Sequence, residues 1–587
     1  MLWYAVGFSQ YITQDWKLHD VGAVIQLVIN NGKLNLLGTD YPGLLNTEYP
    51  LNSYSEHMGS VGWYIGGITP KGDTLVSVTH SFSSPDEFRG YSAAPWDTIW
   101  VVSGETTRDI PYLPEYSPVS DQDFVTRYND YSKASLQVSN HQPMYLDVLQ
   151  TSFAWSSPPL DEIIVFNYWV TATQFDLSEV YVANFVDGNV GYRTGSGFAF
   201  GQDDYSTYHP GYHMGISHDG PGGPDGGKYT PMGLMFLPGK GINPDNLTWT
   251  WMWNSSSSVV PTRDPDRWAQ MASGKIMRDQ ETASGTNYML SFGPFQLNRG
   301  DTLHFKLIEI LGMDEEAILD NAEIANWLIE QDFNVPSPPP APPLSLEAQN
   351  RHVNIIWNPT VERNPEDYTD ANRADGISQP FEGYRLYKST ESAVGPWTLL
   401  GEYDLADNTF GANTGLNHRY TDTGLLNNVE YYYTVTAFSK PDTVSRFPSQ
   451  ESSLLANAKT ITPGTAPPAS VGEVAVVPNP YRGDVNYNAF NPPWEKPPRT
   501  RENWMEQDRR VQFINLPEQC RIRVYTLSGD LITTLQHSDP ERGYEDWNLT
   551  SAVGQAISSG IYLFTVEDTG PGATRGKLQT GKFIVIK

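Results

Sequence analysis

The sequence predicts a mainly β protein built as multidomain β-sandwiches. Three observations carry that expectation. Aromatic residues make up 12% of the 587 residues, with 33 Tyr and 17 Trp, and such side chains suit a pleated, half-buried surface. Gly (50) and Pro (44) are frequent enough to punctuate many turns. Two Pro-rich stretches, "NVPSPPPAPP" (334–343) and "TPGTAPPAS" (462–470), favour extended, semi-rigid spacers. They divide the chain into a β-rich part at 1–335, a linker at 336–343, a second part at 344–462, a linker at 463–470 and a third part at 471–587.

The first part reads as strands with two helical excursions. "DEIIVFNYWVTATQ" (161–174) predicts a long strand, and "SEVYVANFVDG" (178–188) a second one paired with it as a hairpin. "YMLSFGPFQLNRGDTLHFKLIEIL" (288–311) predicts two more strands around the turn "NRGD". "DPDRWAQMASGKIM" (264–277) predicts a helix with Asp264 at the N-cap and Pro265 at the first helical position. "DEEAILDNAEIANWLIEQDF" (314–333) predicts an amphipathic helix, with Ile318, Ala325, Leu328 and Asp332 near one face and Leu319, Ala322 and Ile329 beside them. Residues 40–130, rich in Gly, Pro and Tyr, show no sustained period.

The formal charge of −30 excludes the basic footprint that a nucleic-acid binder needs. Residues 463–587 carry 13 Lys+Arg against 14 Asp+Glu, so nearly all the negative charge lies in residues 1–462. An acidic surface suits solubility or cation binding. One cysteine, Cys520, allows no internal disulfide, and its place in a predicted strand reads as buried and inert. No apolar run approaches the roughly 18 residues of a membrane-spanning helix. "MLWYAVGFSQ" has no charged region ahead of an apolar stretch and does not read as a signal peptide.

The second part carries a recognisable pattern. "HVNIIWNP" (352–359) places Trp357 on an early strand, "FEGYRLYKS" (381–389) alternates, and "GLLNNVEYYYTVTAF" (424–438) spaces Leu425, Tyr431, Val435 and Ala437. This resembles a fibronectin type III domain, which implies a sandwich in which a corner tyrosine bonds back to the chain. "TVERNPEDYTDANRADGISQ" (360–379) departs from the pattern as a long acidic loop.

The third part combines "PNPY" (478–481), "YTLSG" (525–529), "SGIY" (559–562) and the closing strand "KFIVIK". Together they resemble the C-terminal Ig-like domains of exported proteins from Bacteroidetes-type bacteria, including the type IX secretion sorting domain and the Ig-like domain related to the flagellar hook-capping protein. The resemblance implies a small sandwich whose last strand is read by the export machinery. It also implies an extracellular or surface protein made with a signal upstream of the present start. The order of parts is similar to that of large bacterial surface proteins and brings no activity with it.

Chemistry-bearing residues cluster in the first part. Asp187, Asp203, Asp204, Asp219 and Asp225 lie in Gly-rich loops. Calcium takes oxygen ligands from such loops, and the same residues also build turns. "YHPGYHMGISHDG" (208–220) holds His209, His213 and His218, residue types that ligate transition metals; Pro210 and Gly211 argue against a helix aligning the first two. "WTWMWN" (249–254) sets Trp249, Trp251 and Trp253 on one strand face, either a core face or a platform for glycans. "GGPDGGK" (222–228) meets the phosphate-loop spacing, but Tyr229 stands where Ser or Thr is needed. No G-x-S-x-G or H-E-x-x-H is present. These residues favour a non-enzymatic structural or adhesive protein, with itself, other surface proteins or glycans as partners. A carbohydrate-binding or carbohydrate-degrading protein with its site in residues 1–335 is the alternative.

Overall fold

The computed structural model describes residues 15–34, 46–80, 86–90, 98–103, 107–192, 199–221, 229–255, 261–406, 409–464, 466–495, 509–571 and 574–587. The architecture is mainly β, as the composition predicts. Residues 1–338, 370–378 and 440–453 form one compact unit, and residues 339–369, 379–439 and 454–587 a second. No helix among the described residues is long and apolar enough to cross a membrane.

The strands of the first unit that matter here are β1 (Ser60–Ile68), β2 (Thr74–Val78), β3 (Gln122–Asn129), β4 (Leu146–Ala154), β5 (Ile163–Ala172), β6 (Leu177–Asp187), β7 (Tyr205–His209), β8 (Met214–His218), β9 (Met232–Pro238), β10 (Thr248–Ser255), β11 (Thr286–Leu297) and β12 (Thr302–Leu311). One sheet runs β10-β11-β6-β1-β2 and the other β7-β8-β9-β12-β5-β4-β3, the latter extended past β3 by two short strands. Their facing sides alternate apolar residues into a shared core. Trp63 is its hub, 1% exposed, with ring centroids 4.9 Å from Phe88, 5.5 Å from Tyr168 and 5.4 Å from Phe305.

The hairpin expected over 161–188 does not form. β5 pairs with β4 and β12, whereas β6 pairs with β11 and β1, so the chain arches from one sheet to the other. β11 and β12 make a second arch across "NRGD", and backbone bonds Gly300 N–H to Ala172 O (2.7 Å) and Ala172 N–H to Asp301 O (3.2 Å) tie the two arches together. Over most of their length the four strands are buried on both faces, as strands inside two packed sheets are.

Each outer face carries a helix. α1 (Asp264–Met271) is shorter than predicted, and Arg263 rather than Asp264 occupies the N-cap position, with no side-chain cap bond. Its Met271 and Trp268 pack on Tyr64, Val76 and Phe185. α2 (Glu315–Glu330) starts where the sequence places it: Asp314 is the N-cap and accepts a 2.9 Å bond from the Ala317 N–H. Ile318, Ala322, Ala325 and Leu328 are buried against Val165, Met235, Ile308 and Ile310. Asp332 falls outside the helix in a left-handed conformation, φ 52°.

In the second unit, strands Ser345–Gln349, His352–Ile356 and Arg419–Thr423 form one sheet. Thr398–Asp404, Phe381–Ser389, Tyr431–Ser439 and Lys459–Ile461 form the other. Trp357, Tyr384, Leu425, Tyr431 and Val435 share the core between them, a fibronectin type III-like arrangement. The expected corner bond is present: the Leu426 N–H donates to Tyr431 Oη at 3.0 Å. Tyr431→Phe is expected to cost about 1 kcal/mol through that lost acceptor. Urea unfolding of the purified chain checks it; an unchanged midpoint for the second unit would show that the corner holds nothing.

Residues 475–586 build a further sandwich of a three-stranded and a five-stranded sheet. The last strand, Leu578–Ile586, lies between antiparallel Gly560–Asp568 and the short parallel strand Tyr481–Arg482. Cys520 is fully buried, and burial pushes its thiol up to about 12, so it is inert at neutral pH as the sequence indicates.

Candidate metal centre

Strand register builds the site. β7 and β8 form a hairpin in which Tyr205 stands opposite His218. The residues just outside that pair, Asp204 and Asp219, therefore face each other across its open end. Asp203, the last residue of a short 3-10 turn over Ala199–Asp203, adds a third carboxylate. Ligand-capable oxygens of Asp203, Asp204 and Asp219 all lie within 4.8 Å of one another. Gly220 makes this approach possible: a Cβ there would stand 2.2 Å from the Asp203 carbonyl oxygen.

Backbone N–H groups hold two of the three carboxylates. Asp204 Oδ2 accepts from the Val190 N–H at 2.8 Å, and Asp219 Oδ2 accepts from the Tyr229 N–H at 2.7 Å. Asp204 is fully buried and its Oδ1 has no hydrogen-bond partner; both carboxylate oxygens of Asp203 are buried and likewise unbonded. Burial, reinforced by the neighbouring Asp219, Asp203 and Asp187, holds the Asp204 carboxyl well above the usual range. Asp187, at the end of β6, sits outside the trio, bonded by Asn189 Nδ2 at 3.1 Å, and burial pushes it up to about 7. Buried like charges this close stay ionised together only around a cation. An oxygen-only donor set from loops and turns is what a hard divalent ion such as calcium takes. The residues present fit that ion, with Asp203, Asp204 and Asp219 as the ligands.

Of the five aspartates expected, three thus meet, Asp187 stands behind them, and Asp225 lies outside the described residues, as does "GGPDGGK" (222–228). The histidines do not converge. They lie on a strand pair rather than a helix, with His209 opposite Met214 at one end of the hairpin and His218 opposite Tyr205 at the other. His213 has a left-handed backbone, φ 48°, and its ring stacks on Trp249 at 3.7 Å. His218 bonds Thr207 Oγ1 at 2.8 Å. Among the described residues no histidine joins a metal-capable group.

The tryptophan row is a core face. Trp251 is fully buried, with Tyr208 and Tyr288 at 5.0 and 4.7 Å. Trp249 and Trp253 pack on the same core and spend their indole N–H groups on the carbonyls of Pro244 (3.0 Å) and Arg278 (2.7 Å). No glycan platform is formed there, because β10 turns this face toward the other sheet.

No family model matches the chain, and no curated protein matches it. Solved structures similar to parts of it include the central fibronectin-III array of RIM-binding protein, at 16% identity over 43% of this chain and 70% of that one, TM-score 0.14. The chicken CNTN1 FN1-FN3 domains are 12% identical over 43% of this chain and 68% of that one, TM-score 0.14. Dimeric latent PorU from Porphyromonas gingivalis is 13% identical over 64% of this chain and 31% of that one, TM-score 0.13. At these scores the fold assignment rests on the sheets described above.

Proposed function

We propose that this chain is an exported, non-enzymatic structural or adhesive protein of the bacterial cell surface, whose first unit carries a calcium site at Asp203, Asp204 and Asp219. The convergence of three buried carboxylates, with no cation paired to Asp203 or Asp204 among the described residues, supports this reading. Calcium sites of extracellular modules work at Kd values of about 10⁻⁴–10⁻³ M, so such a site fits a protein that operates outside the cell. The sorting-type motifs of residues 471–587 point the same way. β-Sandwich modules expose sheet edges, where further copies or other surface proteins can add a strand.

The test is a calcium titration of the full chain by calorimetry, beside Asp204→Asn. Wild type is expected to bind one ion at this site and Asp204→Asn to lose it, while staying folded because the amide needs no counter-charge. Equal calcium binding by both proteins would sink the site. Electron microscopy of the calcium-loaded chain addresses assembly: ordered filaments or lattices support the structural role, and monodisperse monomers remove self-assembly from it.

A further inference from the structure

The outer face of the β3-β4-β5-β12 sheet is only half covered by α2. Its free half floors a cleft of about 840 Å³, a volume typical of small-ligand sites. Lys306 lies on that floor and is 4% exposed. It stands opposite Asn167, which stands opposite Thr151, so three polar side chains cross three adjacent strands in one row. Asn167 Nδ2 and Thr151 Oγ1 are buried with no hydrogen-bond partner. No carboxylate lies within ion-pairing distance of Lys306 Nζ among the described residues: Asp332, the acid acting on it, is committed to Lys240.

The other charges of the cleft cancel. Arg127 pairs with Asp147 at 3.0 Å, and Lys240 with Asp332. His304, next along β12, is held neutral by burial, down to about 4, and stacks on Trp169 at 4.8 Å with an interplanar angle of 3°. Tyr112 and Tyr116, from a two-stranded hairpin over Arg108–Tyr116, line the same cleft. Among the described residues of the cleft Lys306 is therefore the one charge left over, in a chain whose formal charge is −30. Desolvation, with Lys240 adding repulsion, lowers its ammonium to about 8.

We propose that this cleft binds an acidic saccharide, a hexuronate unit whose carboxylate sits on Lys306 and whose hydroxyls meet Asn167 and Thr151 between the aromatic walls. A single uncommitted ammonium matches a monoanionic carboxylate better than a phosphate dianion, which calls for several cations or a guanidinium fork. An amide and a hydroxyl beside aromatic rings suit a hydroxylated ring with apolar faces. The cleft shares no residue with the aspartate trio, so either assignment stands or falls without the other.

The experiment is calorimetry on the full chain with galacturonate, glucuronate and mannuronate trimers, the matching neutral trimers, and acetate. At least one uronate trimer is expected to bind, with affinity falling tenfold or more for its neutral counterpart and for Lys306→Met, and several-fold for Thr151→Val. Both variants are apolar near-isosteres, and their thermal unfolding confirms the fold. Binding is also expected to weaken as pH rises past the ammonium's titration, and to keep its pH dependence flat in Lys306→Met. Equal affinity for neutral trimers would overturn the carboxylate assignment. Equal affinity for acetate would overturn the saccharide. Failure of every trimer would overturn the proposal.

Discussion

In EDTA, the first unit is expected to lose thermal stability as pH rises from 6.5 to 8, and calcium is expected to restore more of it at pH 8 than at pH 6. The cause is a set of buried acids. Burial pushes Asp187 up to about 7, and Asp161 and Glu309 each to about 8, with Asp204 also raised. In the unfolded chain such groups titrate near 4. Between those values the unfolded state sheds protons that the folded state keeps, so their contribution is full below the unfolded pKa and drains away as pH rises through the folded one. Histidines run the other way: His19 is lowered to about 3, His57 and His304 to about 4, and His213 is lowered as well. They oppose the acids only below about 6.5, where unfolded histidine still takes up a proton. Above that point Lys306, whose ammonium is lowered to about 8, opposes them only weakly until the pH reaches that value, and a net loss on the order of 2 kcal/mol or more remains by pH 8. A divalent ion removes the part due to the trio, because it favours the ionised carboxylates. At 100 times its Kd it adds about 2.7 kcal/mol, worth roughly 3–4 °C for a unit of this size. Scanning calorimetry at pH 6 and pH 8, with and without calcium, decides it. A calcium shift of equal size at both pH values, or a larger one at pH 6, would be inconsistent with buried carboxylates as ligands.

Phe583→Ala is expected to destabilise the sandwich of residues 475–586 by about 3–5 kcal/mol. Phe583 is fully buried on the last strand. Its ring meets Phe513 at 6.1 Å, Trp547 at 6.0 Å, Tyr562 at 5.6 Å and Phe564 at 6.4 Å, joining both sheets. Truncation leaves a cavity between sheets that cannot collapse without breaking strand pairing. Domain stabilities run at about 5–15 kcal/mol, so the loss takes a large share. The next residue is the control: Ile584 is 40% exposed on the opposite face, and Ile584→Ala is expected to cost well under 1 kcal/mol. Hydrogen exchange across Gly560–Asp568 reads both variants. Similar protection in the two would mean that the ring does not hold the sheets together.

Both helices and the long strands after residue 160 follow from period and punctuation, which are local signals, whereas the corner tyrosine follows from the resemblance to a fibronectin type III domain and the strands within 40–130 show no such period. Strand partners are not a local property. β5 and β6 are each plain in the sequence, yet a short connector can close a hairpin or cross between sheets, and only the packing of both faces decides. The same limit governs the sites. Five loop aspartates are visible as candidates, but their convergence depends on the β7–β8 register, and "YHPGYHMGISHDG" reads more readily as loop than as hairpin. The alternation of Trp249, Trp251 and Trp253 is legible; which way it faces depends on the sheet opposite. For the cleft, the available signal was Lys306 in the middle of the apolar run "LHFKLIEIL", a position where a charge is costly unless something answers it.

Tyr481–Arg482, the second strand of the last sandwich, and Val585–Ile586, at its close, run parallel and side by side. Tension drawn between residue 481 and residue 587 pulls these two segments in opposite directions along their length. Their hydrogen bonds then share the load in shear, rather than parting one after another as they would if peeled. A module joined in this way behaves as a mechanical clasp, and its lifetime under force follows its unfolding rate, not its equilibrium stability.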